Sequence, residues 1–253
     1  MDNQPISAID LLVETHVGLE RLGPGSSAST MKALSFIGDL HEISRVADFG
    51  CGTGAQTIEL AQHIMGRITG VDLFPDFIDI LNAKAKKMNL DERVAGIVGS
   101  MDNLSFQKEE LDLIWSEGAI DNIGFDKGLR YWYEFLKKGG YVAVTCPSWL
   151  SDERPAEVEQ FWMDAGSRLD AVEHNIAVMQ KIGYSFVAAF ALPDQCWMDN
   201  YFIPRGSVEK SLLKKYAGSK MVEDSIHHSQ YEVKLYSTYK RFYGYVFYIG
   251  KKI

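Results

Sequence analysis

The sequence contains few cysteines and no long apolar run. Its 253 residues include three cysteines, Cys51, Cys146 and Cys196, whose odd number and wide separation predict neither a disulfide framework nor a metal site. No stretch approaches the roughly 18 consecutive apolar residues that a membrane-spanning helix needs. The first residues lack a basic group followed by an apolar block, so we expect no secretory signal. These absences predict a protein of the reducing cytoplasm that neither spans nor binds a membrane.

Basic residues are also under-represented. The chain has 26 Lys and Arg against 34 Asp and Glu, a net charge of -8. Binding to a phosphate backbone requires clustered Lys and Arg, so this balance argues against a nucleic-acid partner. The deficit is uneven, because residues 193–253 carry 10 basic and 6 acidic side chains. We interpret most of these basic groups as solvated helix faces and expect a small-molecule partner.

From residue 45 onward, short β-branched runs alternate with segments of helical periodicity. This alternation predicts a doubly wound α/β fold, with a mostly parallel sheet covered by helices. The predicted strands are 45–49, 67–72, 93–98, 111–115, 141–146, 183–192 and 244–249. The predicted helices of this region are 55–65, 76–88, 125–136, 156–181 with a break near Gly166, 208–216 and 229–239. We expect Lys137 to Gly140 to form a basic helix end with a glycine stop, and Pro147 to end the fifth strand.

We expect one domain, residues 1–253, made of four parts. Residues 1–44 predict two helices, 7–22 and 29–40, separated by a Gly-Pro-Gly turn. Residues 45–192 form the core. Residues 193–241 are a helical insertion, and 242–253 contain the last strand.

A glycine cluster follows the first strand and opens directly into a helix. Glycines at this point let the chain turn sharply and let a ligand approach the backbone, while the free amides of the helix N-terminus attract negative charge. The spacing of Gly50, Gly52 and Ala55 also fits a dinucleotide fingerprint. The glycines alone therefore leave a nicotinamide cofactor open.

Three further features narrow the choice of cofactor. Asp48 stands two positions before the first glycine, and glycines recur at 50, 52 and 54. Asp72 ends the second strand, where an acid that binds ribose hydroxyls belongs. The chain ends in an extra strand after a long insertion. In these features the sequence resembles the class I S-adenosylmethionine-dependent methyltransferases, and within that family the branch that acts on small molecules. The resemblance implies a Rossmann-like sheet of seven strands with an antiparallel terminal strand.

The resemblance also implies which positions contact the cofactor, S-adenosyl-L-methionine, and its product S-adenosyl-L-homocysteine. The glycine loop would approach the methionine and ribose portions, Asp72 the ribose hydroxyls, and Met101 the adenine. The N-terminal Gly-Pro-Gly turn would fold over the cofactor as part of a lid. The full expected set is Asp48, Gly50, Cys51, Gly52, Gly54, Asp72, Leu73, Ser100, Met101, Glu117 and Gly25.

Methyl transfer from a sulfonium is an in-line displacement that depends mainly on alignment, so a catalytic side chain is not obligatory. Glu117, after the fourth strand, is our candidate catalytic residue. If the acceptor needs a base, the candidates are His16, Glu117, Tyr201, His227 and His228. We expect the substrate pocket to include Trp149, Trp197, Tyr201 and His16.

Two other functions stay open at this point. One is an NAD(P)-dependent oxidoreductase that uses the same glycine turn. The other is a non-catalytic S-adenosylmethionine-binding module. We expect no metal, and a monomer or homodimer.

Overall fold

The computed structural model describes residues 6–38 and 40–253, and an eight-stranded sheet forms its centre. The strands are β1 (Arg45–Phe49), β2 (Arg67–Asp72), β3 (Val94–Val98), β4 (Leu111–Ser116), β5 (Leu136–Trp149), β6 (Asp170–Ala171), β7 (Tyr184–Ala191) and β8 (Tyr243–Lys252). Their order is β3-β2-β1-β4-β5-β8-β7, and the two-residue β6 pairs with β5.

Helices cover both faces of the sheet. They are α1 (Ala8–His16), α2 (Ser27–Leu34), α3 (Ala55–His63), α4 (Pro75–Lys87), α5 (Phe125–Tyr133), α6 (Ala156–Asp164), α7 (Val172–Ile182), α8 (Asp194–Trp197), α9 (Ile203–Lys215) and α10 (Lys220–Tyr239). A 3₁₀ turn spans Ile120–Asn122, and a π-helical turn spans Met198–Phe202.

The predicted fold class is confirmed. Strands β3, β2, β1, β4 and β5 pair in parallel, and β8 is antiparallel to both of its neighbours, β5 and β7. Parallel strands of this kind end at one edge of the sheet, and ligands of doubly wound folds bind outside that edge. The carboxyl ends of β1, β2 and β4 therefore mark the place for a binding site.

The largest difference from the predicted elements lies in β5. Residues 137–140 belong to this strand instead of a helix end, and Gly139 has a positive φ of 80° where the pairing with β4 is irregular. The strand also continues past Pro147 to Trp149. Pro147 lies after Val144, the last residue paired with β4, and before Ser148, the first paired with β6. A missing N–H is tolerated at such an interruption of the ladder.

The two N-terminal helices are shorter than predicted. Helix α1 ends at His16, and α2 spans Ser27–Leu34, whereas helices over 7–22 and 29–40 were expected. The start of α2 is set by Ser26, whose hydroxyl accepts a hydrogen bond from the Ser29 backbone N–H at 3.0 Å. The expectations for residues 1–5 and 39 lie outside the described residues.

Candidate active site

A cavity of about 500 Å³ lies at the carboxyl edge of the sheet. Its volume is in the range of small-molecule sites. Three core segments line it, the loops after β1, β2 and β4, and the residues after β3 complete that wall. The opposite wall comes from α1 and the residues that follow it. The expected site residues in its lining are His16, Gly50, Cys51, Gly52, Asp72, Leu73, Ser100, Met101 and Glu117.

The glycine loop reaches the cavity because its backbone adopts conformations that other residues rarely adopt. Gly50 and Gly52 have φ angles of 71° and 54°. A Cβ atom at Gly50 would lie 2.3 Å from the Cβ of Ala119, and one at Gly52 would lie 2.6 Å from Leu22. Backbone strain and steric clash therefore both require glycine here. Gly54 is the N-cap of α3 and does not line the cavity; a Cβ there would meet Leu81.

Asp72 ends β2 and turns its carboxylate toward the glycine loop. One oxygen accepts a hydrogen bond from the Gly52 N–H at 2.8 Å, and the other accepts from the Phe74 N–H at 3.1 Å. Burial raises the pKa of this carboxyl, although these backbone donors oppose the shift. Each oxygen keeps further acceptor capacity, so the fixed carboxylate can accept hydroxyl donors from a ligand in the cavity.

Asp48 lies behind the loop and is fully buried. Its Oδ2 accepts a hydrogen bond from the Thr57 hydroxyl at 2.6 Å, whereas Oδ1 has no partner among the described residues. Burial raises the pKa of Asp48 to about 7, and the nearby carboxylates Glu117 and Asp72 add to the shift. The carboxyl group of Asp48 is thus buried, and its pKa lies close to neutral pH.

Glu117 lies in the cavity wall, and donors from the protein surround its carboxylate. Arg21 Nη1 donates to Oε2 at 2.9 Å, Thr30 Oγ1 to Oε1 at 2.7 Å, and Trp115 Nε1 to Oε1 at 2.9 Å. The side chains of Arg21 and Glu117 are only 9% and 4% exposed. This arrangement fits a residue that anchors the N-terminal region to the core better than a free base.

The N-terminal wall includes residues 20–24, next to the expected lid residue Gly25. Gly25 does not line the cavity itself. A Cβ at this position would lie 2.9 Å from Arg21 Nη1 and 3.2 Å from Glu117 Oε2. The Gly25 carbonyl accepts a hydrogen bond from Asn200 at 2.8 Å, which links this turn to the π-helical turn. Gly25 therefore packs directly on the ion pair.

The remaining cofactor candidates lie at the end of the cavity near β2 and β3. Leu73 is 60% exposed, and Phe77 of α4 lies in the same wall. Ser100 donates its hydroxyl hydrogen to Asp102 at 2.6 Å, and the Met101 carbonyl accepts from Trp132 Nε1 at 2.8 Å. These apolar surfaces and fixed backbone groups suit a flat heterocyclic ring.

The structure places the expected aromatic substrate residues apart from the described cavity lining. Trp149 and Trp197 are buried, with 2% and 1% exposure, and Trp197 stacks on Tyr236 at a ring distance of 4.2 Å. Tyr201 is 8% exposed and accepts a hydrogen bond from Arg205 at 3.0 Å. Burial of aromatic surface between the insertion and the core accounts for these positions. His16 is the member of this set that lines the cavity, and its ring stacks on Tyr201 at 6.4 Å.

Sequence reasoning missed two charged residues. Arg21 has no motif around it, and only the fold brings it to Glu117, 96 residues further along the chain. Asp121, in the 3₁₀ turn after β4, has a buried Oδ1 without a partner among the described residues. Burial raises the pKa of Asp121 to about 6. A carboxylate just after a strand end was the available signal for Asp121.

Two observations bear on metals and membranes. Within residues 6–38 and 40–253, no three His, Cys, Asp or Glu side chains gather in a way that could hold a metal ion. No helix in that part of the chain is both long and apolar enough to cross a bilayer.

The sequence matches known methyltransferases in its core. Residues 46–140 match the family described as methyltransferase domain. Erythromycin 3''-O-methyltransferase of Saccharopolyspora erythraea is 34% identical over 110 residues, which cover 42% of this chain and 35% of that protein. Geranyl diphosphate 2-C-methyltransferase of Streptomyces coelicolor is 25% identical over 120 residues, 47% of this chain and 41% of that protein. The matches thus span less than half the length of these curated relatives.

Solved structures extend the likeness to nearly the whole chain. YjhP from E. coli superposes with a TM-score of 0.82 at 18% identity, covering 96% of this chain and 99% of that one. Geranyl diphosphate C-methyltransferase from Streptomyces coelicolor, in complex with Mg²⁺, geranyl diphosphate and S-adenosyl-L-homocysteine, gives 0.64 at 16% identity, covering 90% and 79%. At these identities the likeness concerns the fold. Residues 46–140 thus resemble a methyltransferase domain in sequence, and the chain shares its fold with solved methyltransferases.

Proposed function

We propose that the protein transfers a methyl group from S-adenosyl-L-methionine to a small-molecule acceptor and releases S-adenosyl-L-homocysteine. The observation that carries this proposal is the single cavity that brings together the glycine loop, Asp72 and Glu117. These groups come from the ends of three neighbouring strands, β1, β2 and β4. Glycine backbone and carboxylates along this edge suit the different parts of one extended ligand.

The residues of the cavity fit the cofactor from end to end. Leu73, Phe77 and Met101 offer apolar surface for the adenine. Asp72 offers a carboxylate whose position is fixed by two backbone N–H groups, which suits the ribose hydroxyls. The loop around Gly50 would hold the methionine portion.

The chain's own residues would act mainly by positioning. A sulfonium already has a good leaving group, so alignment of donor and acceptor and exclusion of water supply much of the rate. Residues 20–24 form one wall of the cavity, and the Arg21–Glu117 ion pair holds that wall against the core. We propose that this segment is a lid over the bound cofactor.

Two observations support a small-molecule methyl acceptor. The named sequence relatives act on small molecules, an erythromycin and geranyl diphosphate. The net charge of -8 disfavours a nucleic-acid acceptor. Three free, buried cysteines are compatible with a reducing cytoplasmic location, which is part of the proposal.

Ligand-induced stabilisation tests the cofactor assignment. Melting temperatures would be measured with S-adenosyl-L-homocysteine and with NAD⁺ at equal concentrations, because a ligand that binds only the folded state stabilises it. At 100 times its dissociation constant a ligand contributes about 2.7 kcal/mol. Stabilisation by S-adenosyl-L-homocysteine alone supports the proposal, and stabilisation by NAD⁺ alone would instead indicate an oxidoreductase. Release of S-adenosyl-L-homocysteine in the presence of an acceptor separates a methyltransferase from a module that only binds the cofactor.

A further inference from the structure

His16 connects the proposed cofactor cavity with the helical insertion. It is the last residue of α1 and lines the cavity. Its ring stacks on Tyr201 of the π-helical turn, with a centroid distance of 6.4 Å and an interplanar angle of 23°. The imidazole is therefore held between the cavity and the residues that follow β7.

The hydrogen bond of His16 determines its tautomer. Nδ1 lies 2.8 Å from the Leu12 carbonyl oxygen, one helical turn earlier. A carbonyl oxygen only accepts hydrogen bonds, so Nδ1 must carry the proton. In the neutral ring the lone pair then resides on Nε2, on the far side of the imidazole from Leu12.

The surroundings favour this neutral ring. Burial lowers the pKa of His16, and the positive charge of Arg205 lowers it further, whereas the hydrogen bond to Leu12 raises it. The other charged or titratable groups around this part of the cavity are Tyr201, Glu20, Arg21 and Glu117. Arg21 and Glu117 form an ion pair with each other. The net result is a pKa below the usual histidine value, so the lone pair is available at neutral pH.

The other base candidates are less suited to take a proton from a ligand in the cavity. The Tyr201 hydroxyl accepts a hydrogen bond from Arg205, and burial raises its pKa. Glu117 accepts from three protein donors. His228 stacks on Phe161 of α6 at 5.1 Å, away from the cavity lining. Asp121 has an unpartnered oxygen but does not line the cavity either.

We propose that His16 Nε2 is the general base of the reaction and that the acceptor is therefore protic, with its methyl group received on a hydroxyl oxygen or an amine nitrogen. The inference rests on the proposed function. The methyl carbon forms a bond to the acceptor atom while its bond to sulfur breaks, and the sulfur keeps that electron pair. The acceptor proton passes to Nε2, and the imidazolium returns it to water after product release.

The first test needs no acceptor. Nitrogen-15 NMR of the full chain with bound S-adenosyl-L-homocysteine, assigned with the His16→Asn variant, would report the tautomer and pKa of His16. We expect the Nδ1–H tautomer and a pKa below about 6.5, the ordinary value. An Nε2–H tautomer, or a pKa above that value, would overturn the proposal. Failure of S-adenosyl-L-homocysteine to bind would contradict the proposed function, while the tautomer of the ligand-free protein would still decide whether Nε2 can accept a proton.

The second test measures methyl transfer to three probes: catechol, tyramine and geranyl diphosphate. The His16→Asn variant keeps a donor near the Leu12 carbonyl but removes the base. We expect it to lower kcat on catechol or tyramine about 10²–10⁴-fold, to leave the affinity for S-adenosyl-L-homocysteine unchanged, and to abolish the acidic limb of the pH profile. His63→Asn, at the exposed end of α3, is the matched control. Methylation of geranyl diphosphate alone, which occurs on carbon, would overturn the proposal yet leave the methyltransferase assignment intact.

Discussion

Arg21 and Glu117 form a buried ion pair that joins the N-terminal wall of the cavity to the loop after β4. Their closest N–O distance is 2.9 Å, and neither side chain is more than 9% exposed. Arg21 Nη2 also lies 3.2 Å from the Thr30 hydroxyl oxygen, which in turn donates to Glu117. With Trp115, which also donates to Glu117, four residues share one network, and removal of Arg21, Thr30 or Glu117 leaves a polar partner buried.

Arg21→Met is expected to destabilise the protein by about 3–5 kcal/mol, because it leaves the Glu117 charge buried without its partner. The measurement is urea unfolding followed by circular dichroism. Adding Glu117→Gln to this variant removes the uncompensated charge and should recover part of the loss. Additive effects of the two substitutions in a double-mutant cycle would contradict an energetic coupling between them.

Asp72→Asn is expected to weaken binding of S-adenosyl-L-homocysteine by about tenfold to a hundredfold, since hydrogen bonds to a charged group contribute about 1.5–3 kcal/mol. Isothermal titration calorimetry gives the affinity directly. Asp79→Asn, on the exposed face of α4, is the matched control and should bind as the unchanged protein does. Equal affinity of the Asp72 variant would remove this carboxylate from the proposed ribose site.

Asp48→Asn tests the effect of the buried acid on stability. The pKa of Asp48 is raised from 3.8 to about 7 in the folded state. The contribution of Asp48 to the free energy of unfolding is therefore fully present below pH 3.8 and is lost as the pH rises toward 7. The slope is about 1.4 kcal/mol for each pH unit, and it levels above the folded pKa. Without ligand, Asp48→Asn should therefore gain stability over the unchanged protein between these pH values. A difference that stays constant across pH 4–8 would contradict the raised pKa.

Gly25→Val is expected to displace the ion pair on which this residue packs. The added side chain would start 2.9 Å from Arg21 Nη1 and 3.2 Å from Glu117 Oε2. Overpacking of this kind lowers the free energy of unfolding by about 1–3 kcal/mol. We also expect the variant to bind S-adenosyl-L-homocysteine more weakly, because the ion pair holds the cavity wall in place. Gly18→Val is the control, because nothing lies within 4 Å of a Cβ at Gly18. Unchanged affinity in Gly25→Val would argue against the lid.

Local patterns predicted the sheet well where each strand carries its own signal. The sequence predicts strands over 45–49 and 67–72 with the bounds that the structure shows, because the first is followed directly by Gly50 and the second ends at Asp72. The family resemblance also implies that the glycine loop and Asp72 contact one cofactor. They do lie together in one cavity.

The features that the sequence did not predict depend on contacts between distant parts of the chain. Lys137 to Gly140 looks like a helix end, yet it belongs to β5 because Leu136 and Tyr141 on either side of it both pair with β4. Tertiary pairing overrides local propensity in such cases. Likewise, no local pattern distinguishes Trp197, which is buried against Tyr236, from an aromatic residue that faces a ligand. Arg21 gains its role only from a partner 96 residues away.

The position of β8 has a consequence for how the protein is made. Strand β7 joins the described sheet through β8, which is also the partner of β5, so residues 184–191 are synthesised about 50 residues before the strand that holds them. Before β8 has been synthesised, the edge of β5 that pairs with it lacks this partner. Until residues 243–252 emerge, that edge is exposed to pairing with other chains, and the final strand closes it.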